Sequence, residues 1–87
     1  MSQELNRIID EMAERWGQPH VPRKRIPDFT AGTFSVGYLA NLDCLGLGPE
    51  GLFYLGRHAC YPTQSLVRWL KDRARVVEKK APRRREA

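Results

Sequence analysis

The chain has 87 residues, of which 41% are hydrophobic and 29% charged, which is enough for one small domain and too little for a doubly wound fold with two halves. No apolar run approaches the roughly 20 residues that span a bilayer, and no signal-peptide segment is recognisable, so we expect a cytoplasmic protein without a membrane partner. The net charge of +5 comes from the second half. Residues 1–43 carry five basic and six acidic side chains and residues 44–87 carry ten and four, a basic excess that favours a polyanionic partner.

The N-terminal segment predicts an amphipathic helix over residues 3–16 that stops at Gly17. Its apolar residues recur at intervals of three and four: Leu5, Ile8, Ile9, Met12 and Trp16. Pro19 and Pro22 then enforce a non-helical link. We divide the chain into this N-terminal helix (1–18), a folded domain (19–77) and a disordered basic tail (78–87).

The stretch VPRKRIPDFTAG (21–32) predicts a helix that is short or kinked, because Pro27 lacks an amide hydrogen and clashes with the preceding turn. A turn follows at residues 31–33. Ser35 is a suitable N-cap for a second short helix, SVGYLANLDCLG, which ends at Gly46 and turns Leu39 and Leu42 inward.

Alternating residues in LFYLGRHACYP (52–62) predict a β-hairpin that turns at Gly56. The stretch PTQSLVRWLKDRARVV (62–77) returns to helical spacing. The fold class expected from these elements is mainly α with a small β-hairpin.

The stretch GLGPEG (46–51) has the spacing of the dinucleotide-binding fingerprint G-x-G-x-x-G. The context of this stretch excludes a dinucleotide site, because the stretch follows a predicted helix instead of a strand and leads into a hairpin. It also contains Pro49, which has no amide hydrogen to donate to a phosphate. The glycines are expected to cap a helix and turn the chain. Cys44 and Cys60 are expected as buried or half-buried free thiols, with a disulfide as the alternative. No spacing predicts a metal site, a cofactor or an enzyme.

Short helix, turn, short helix, hairpin and helix is the order of a winged helix-turn-helix. Residues 21–75 resemble the small excisionase-like and AlpA-like regulators, which share the MerR-type winged-helix fold. The resemblance lies in Ser35, Gly48-Pro49, Phe53-Tyr54-Leu55, Gly56-Arg57, Tyr61-Pro62 and Leu66-Val67-Arg68-Trp69-Leu70. It implies DNA binding without catalysis in a prophage or integrated element, as an excisionase (a recombination directionality factor) or as a small transcriptional regulator. Double-stranded DNA, a site-specific recombinase (integrase) and further copies of the chain on DNA are the partners it implies.

The resemblance also implies where DNA is contacted. The major-groove helix runs from Ser35 to Asn41, and Tyr38 and Asn41 are candidates for base edges; packing in the core for Tyr38 and a plain surface position for Asn41 are the alternatives. Arg57 and His58 at the wing tip suit a phosphate or a narrow minor groove, or Arg57 is a solvated turn residue. Members of this family usually carry a basic side chain on the major-groove helix, often at the position of Gly37. Asp43 adds a negative charge to this helix, and the sequence does not show which way its side chain faces. Phosphate contacts are therefore assigned to Arg23, Lys24, Arg25, Lys79, Lys80, Arg83, Arg84 and Arg85.

The alternative function is a protein-interaction adaptor on a winged-helix scaffold, with non-specific nucleic-acid binding by the basic tail. It predicts an exposed apolar patch made of Val36, Tyr38 and Leu42. DNA binding predicts instead a positive face that joins Arg23, Arg57 and Asn41.

Overall fold

A computed structural model describes residues 3–74, which form four α-helices, a short 3-10 turn and a three-stranded antiparallel sheet. The elements in chain order are α1 (Gln3–Trp16), β1 (His20–Pro22), the 3-10 turn (Arg23–Arg25), α2 (Ile26–Phe29), α3 (Val36–Cys44), β2 (Phe53–Leu55), β3 (His58–Pro62) and α4 (Thr63–Arg73). The prediction of a mainly helical domain with a small hairpin is confirmed. The predicted disordered tail over 78–87, with its five basic residues, lies outside the described residues.

Helix α1 has the predicted bounds and packs against the rest of the domain. It ends at Gly17, whose positive φ of 70° lets its amide donate to the Ala13 carbonyl at 3.1 Å. Ile9 is buried in the hydrophobic core. The Asp10 carboxylate forms an ion pair with the Lys71 ammonium group of α4, at an N···O distance of 2.8 Å. The apolar stripe of α1 therefore packs inside the fold except at Ile8, which is 50% exposed.

Strand β1 corrects the sequence analysis, which predicts only a non-helical link at this place. The strand pairs antiparallel with β3, with Val21 opposite Tyr61. Because β2 pairs with the other edge of β3, the sheet order is β1-β3-β2. Three residues beside two prolines are too few to show strand periodicity, and their partner lies about 40 residues away in sequence.

The 3-10 turn and the four-residue α2 confirm that the helix in 21–32 is short. Pro27 lies in the first turn of α2. Backbone amides in the first turn have no partner within the helix, so the absence of an amide hydrogen in proline costs no hydrogen bond there. The chain then reverses through Ala31 and Gly32, both at positive φ. The buried Thr30 supports this reversal because its hydroxyl donates to the Ile26 carbonyl at 2.8 Å.

The remaining elements follow the predicted order, with one correction at the end. The hairpin pairs Leu55 with His58 and so turns through Gly56 and Arg57. Helix α4 ends at Arg73, since Ala74 is extended, at φ −77° and ψ 150°. The prediction that the helix continues through Ala74 is wrong, and residues 75–77 lie outside the described part.

One hydrophobic core joins the four helices with β1 and β3. Its buried members are Ile9, Val21, Ile26, Phe29, Leu39, Tyr61, Leu66, Val67 and Leu70. Within residues 3–74, no helix has both the length and the apolar character that crossing a bilayer requires.

Candidate nucleic-acid interface

The outer face of α3 is the surface to which the sequence assigned base contacts. The predicted N-cap is confirmed, because the Ser35 hydroxyl oxygen accepts from the Tyr38 amide at 3.1 Å. Leu39 and Leu42 are buried, as predicted, and the solvent-facing residues of the helix are Val36, Gly37, Tyr38, Asn41 and Cys44. Gly37, Asn41 and Cys44 lie along one line of this face, since they are spaced by four and three residues.

Tyr38 and Asn41 are both available to a ligand. Tyr38 is 44% exposed, and its ring lies 5.8 Å from that of Phe34, so it flanks the core without belonging to it. The exposed Asn41 side chain makes no hydrogen bond to any of residues 3–74. At Gly37, a Cβ atom would have no neighbour within 4 Å. This part of α3 therefore carries an unpaired amide beside open space.

Asp43, the one charged residue of α3, points inward. Its carboxylate accepts from the Arg23 guanidinium at 2.7 Å and from the Tyr61 hydroxyl at 2.6 Å. Arg23 also donates to the Tyr61 oxygen at 3.1 Å. We call these three residues the Asp43 cluster. It joins the 3-10 turn, α3 and the central strand, and leaves no negative charge on the outer face of α3.

The Asp43 cluster is largely shielded from water. The Asp43 and Arg23 side chains are 9% and 20% exposed. Burial, followed by the hydrogen bond to Asp43, raises the pKa of Tyr61 to about 12, so its hydroxyl stays a donor at neutral pH. The hydrogen bond from Arg23 to Tyr61, reinforced by Asp43, raises the pKa of Arg23 above its ordinary value. Arg23, assigned to a phosphate by the sequence, is thus committed to an internal ion pair.

The GLGPEG stretch builds the exit from α3. Gly46, at φ 75°, donates to the Asp43 carbonyl, and Leu47 donates to the Leu42 carbonyl at 2.8 Å, a Schellman ending. Gly48 has a different role, because a Cβ atom there would overlap the Asp43 carboxylate. The expectation that these glycines cap a helix and turn the chain is confirmed.

The hairpin turn presents a free cation. Arg57 is exposed, and no residue of the described range 3–74 hydrogen-bonds or ion-pairs with it. His58 is exposed beside it at the start of β3. Tyr54 and Leu55 on β2 are also exposed, at 61% and 52%, so the arginine stands at the tip of an apolar strand.

The other basic side chains divide by their partners. Carboxylate partners hold Arg7, Arg15, Arg23, Arg25 and Lys71. Arg73 stacks on the Trp69 ring at 4.4 Å. The cations left without either kind of partner among residues 3–74 are Lys24, Arg57 and Arg68. Of the predicted phosphate contacts in the described range, only Lys24 and Arg57 are fully available, because Arg25 is held by Asp28 at 2.6 Å.

Neither surface that was expected to discriminate the two functions forms as predicted. Leu42 is buried, which leaves Val36 and Tyr38 without the third member of the apolar patch. Arg23 is neutralised, which removes it from the positive face. Arg57 and Asn41 remain as the free polar groups of the hairpin turn and of α3.

Comparisons with known proteins give no relative from which a function could be inferred. No protein-family model matches the chain, and no curated protein or solved structure is significantly similar to it. Cys44 and Cys60 are both free thiols, as expected. Cys60 is buried, but Cys44 is exposed, which corrects the expectation that both are at least half-buried. Across residues 3–74, the side chains of His, Cys, Asp and Glu form no group of three that could hold a metal ion.

Proposed function

We propose that the protein binds double-stranded DNA as a winged helix-turn-helix regulator, either an excisionase or a small transcriptional regulator of an integrated element. In this proposal α3 enters the major groove and the turn at Arg57 meets the backbone or the minor groove. The observations that carry it are the outer face of α3, which presents the unpaired Asn41 amide with no charge, and a hairpin whose turn carries the unpaired Arg57.

The order of the elements supports the same proposal. A strand, two short helices, a hairpin and a third helix follow one another, and β1 closes the sheet against β3. A helix of the size of α3 fits the major groove, and a hairpin beside it can reach the adjacent backbone. The Asp43–Tyr61 hydrogen bond ties the last turn of α3 to the strand that follows the wing turn, so it favours a fixed placement of helix and wing.

The folded domain supplies few phosphate contacts in this proposal. Among residues 3–74 the unpaired cations assigned to the interface are Lys24 and Arg57, while Arg68 on α4 is also unpaired but is not assigned to it. The other proposed phosphate contacts come from Lys79, Lys80, Arg83, Arg84 and Arg85 in the tail. Phosphate contacts set the register and strength of binding but carry no sequence information. Sequence preference must therefore come from α3.

Replacing Arg57 by alanine tests the wing. We expect weaker binding to every duplex, and a fall of about one in the slope of log affinity against log salt, because one phosphate contact is lost. The measurement is a fluorescence-anisotropy titration of the full chain at several salt concentrations.

Arg7→Ala is the control, since Arg7 is also an exposed arginine but lies on α1, which has no part in the proposed interface. Its salt slope should equal that of the wild type. An unchanged slope in Arg57→Ala, or equal losses in the two variants, would show that the wing makes no contact with DNA.

The exposed apolar residues favour a second candidate, the protein-interaction adaptor. Leu45 and Leu47 after α3 are exposed, as are Tyr54 and Leu55 on β2. An adaptor would bind DNA through its tail alone, so Arg57→Ala would leave the salt slope unchanged. Recruitment of a recombinase and self-association on DNA stay predictions under either candidate.

A further inference from the structure

The chemistry of the outer face of α3 narrows the class of DNA sequence that it can recognise. Guanine is read in the major groove chiefly by arginine or lysine, adenine by asparagine or glutamine, and thymine by apolar contact with its methyl group. Helix α3 has no arginine or lysine. It exposes one amide, at Asn41, next to the aromatic ring of Tyr38 one turn before it, with Val36 on the opposite flank of the helix.

Gly37, in the interior of α3, also favours contact with A·T pairs. Gly37 lies one turn before Asn41 and meets nothing within 4 Å at its Cβ position, so the described fold does not need a glycine there. Glycine in a helix interior destabilises the helix by about 1 kcal/mol relative to alanine. Its absent side chain lets a thymine methyl approach the helix backbone next to the amide.

The wing favours the same base composition. Runs of A·T pairs narrow the minor groove and strengthen its negative potential, which attracts an inserted arginine. Arg57 stands at a two-residue turn, the narrowest part of the hairpin, and has no partner in the described residues.

We infer that the protein selects A·T base pairs, with the Asn41 amide paired to adenine and the ring of Tyr38, its neighbour one turn earlier, placed against a thymine methyl. The inference rests on the proposed function and adds the class of sequence that the site takes. Asp43 places no carboxylate on this face to accept from cytosine, because it is held by Arg23 and Tyr61.

The experiment is selection of duplexes from a random-sequence pool by the full chain at near-physiological salt, repeated with Asn41→Ala and with Gly37→Arg. The wild type should enrich a site of A·T pairs. Changing the pair read by Asn41 to G·C should weaken wild-type binding about tenfold, the effect of one good bidentate contact, and should weaken Asn41→Ala much less. Gly37→Arg, which adds a guanine-reading side chain in open space, should add a G·C pair to the site.

Two other outcomes separate the inference from the function on which it rests. A wild-type site with G·C pairs at the positions that Asn41→Ala relaxes would overturn the A·T inference and keep DNA binding. No enrichment by the wild type would overturn both, because no sequence would then be read. Circular dichroism of the two variants confirms that each is folded.

Discussion

Asp43→Ala is expected to lower the free energy of unfolding by about 3 kcal/mol. The substitution leaves the Arg23 guanidinium largely buried with no carboxylate, and removing one partner of a buried ion pair has effects of about this size. It also removes the acceptor of the Tyr61 hydroxyl on β3, which lies 2.6 Å from the Asp43 carboxylate. Urea unfolding followed by circular dichroism measures the change.

Asp28→Ala provides the control for this prediction. Its carboxylate also pairs with an arginine, Arg25, at 2.6 Å, but the Asp28 side chain is 62% exposed. An exposed ion pair contributes at most about 1 kcal/mol, so we expect a smaller loss in Asp28→Ala. The two ion pairs have nearly the same N···O distance and differ mainly in burial. Equal losses in both variants would contradict the structural role of the Asp43 cluster.

Gly48→Ala is expected to destabilise the wild type by about 2 kcal/mol, within the range for overpacked sites. The added methyl group would occupy the place of the Asp43 carboxylate, so Asp43 must swing away from Arg23 and Tyr61. The backbone itself does not oppose the change, because Gly48 is not among the glycines at positive φ.

A double-mutant cycle tests that cause. Once Asp43 is alanine, the Gly48 methyl group meets no carboxylate, and Gly→Ala at an ordinary φ stabilises by about 0.5 kcal/mol through the unfolded chain. The effect of Gly48→Ala should therefore change sign between the two backgrounds, with a coupling of about 2 kcal/mol or more. Additive effects would mean that Gly48 is needed for a reason other than Asp43.

The helices with strong local signals could be predicted from the sequence. The apolar periodicity of α1, the cap at Ser35 and the glycines after α1 and α3 act within one or two helical turns. The hairpin was also predicted, since its strands are joined by a two-residue turn. These signals are local because helix capping and turn formation involve neighbouring residues.

The misses depend on residues that are distant in sequence. Strand β1 exists because β3 offers it an edge, and three residues carry too little pattern to show this. The Asp43 cluster joins residues separated by 18, 20 and 38 positions. From the sequence alone, the three consecutive basic residues 23–25 are therefore equivalent candidates for phosphate contacts. In the fold, Arg23 forms a largely buried ion pair with Asp43, whereas Lys24 has no partner among residues 3–74.

The candidate interface was predictable in its residues more than in its electrostatics. Tyr38, Asn41 and Arg57 are exposed where the sequence placed them. Asp43 is one residue past the buried Leu42 and two past the exposed Asn41, so helical spacing left its direction open. Only the position of Tyr61 on the central strand decides that the carboxylate turns inward.

Protection of Cys44 from alkylation by bound DNA tests the central claim most directly. Cys44 is an exposed thiol on the line of α3 that carries Gly37 and Asn41, whereas Cys60 is buried and reports whether the domain stays folded. The full chain is treated with iodoacetamide in the presence of increasing duplex DNA, and each cysteine is followed by mass spectrometry. We predict that Cys44 alkylation slows in proportion to the protein bound, while Cys60 stays unreactive throughout. Undiminished Cys44 alkylation on saturated DNA would show that α3 faces away from the duplex and would contradict the account.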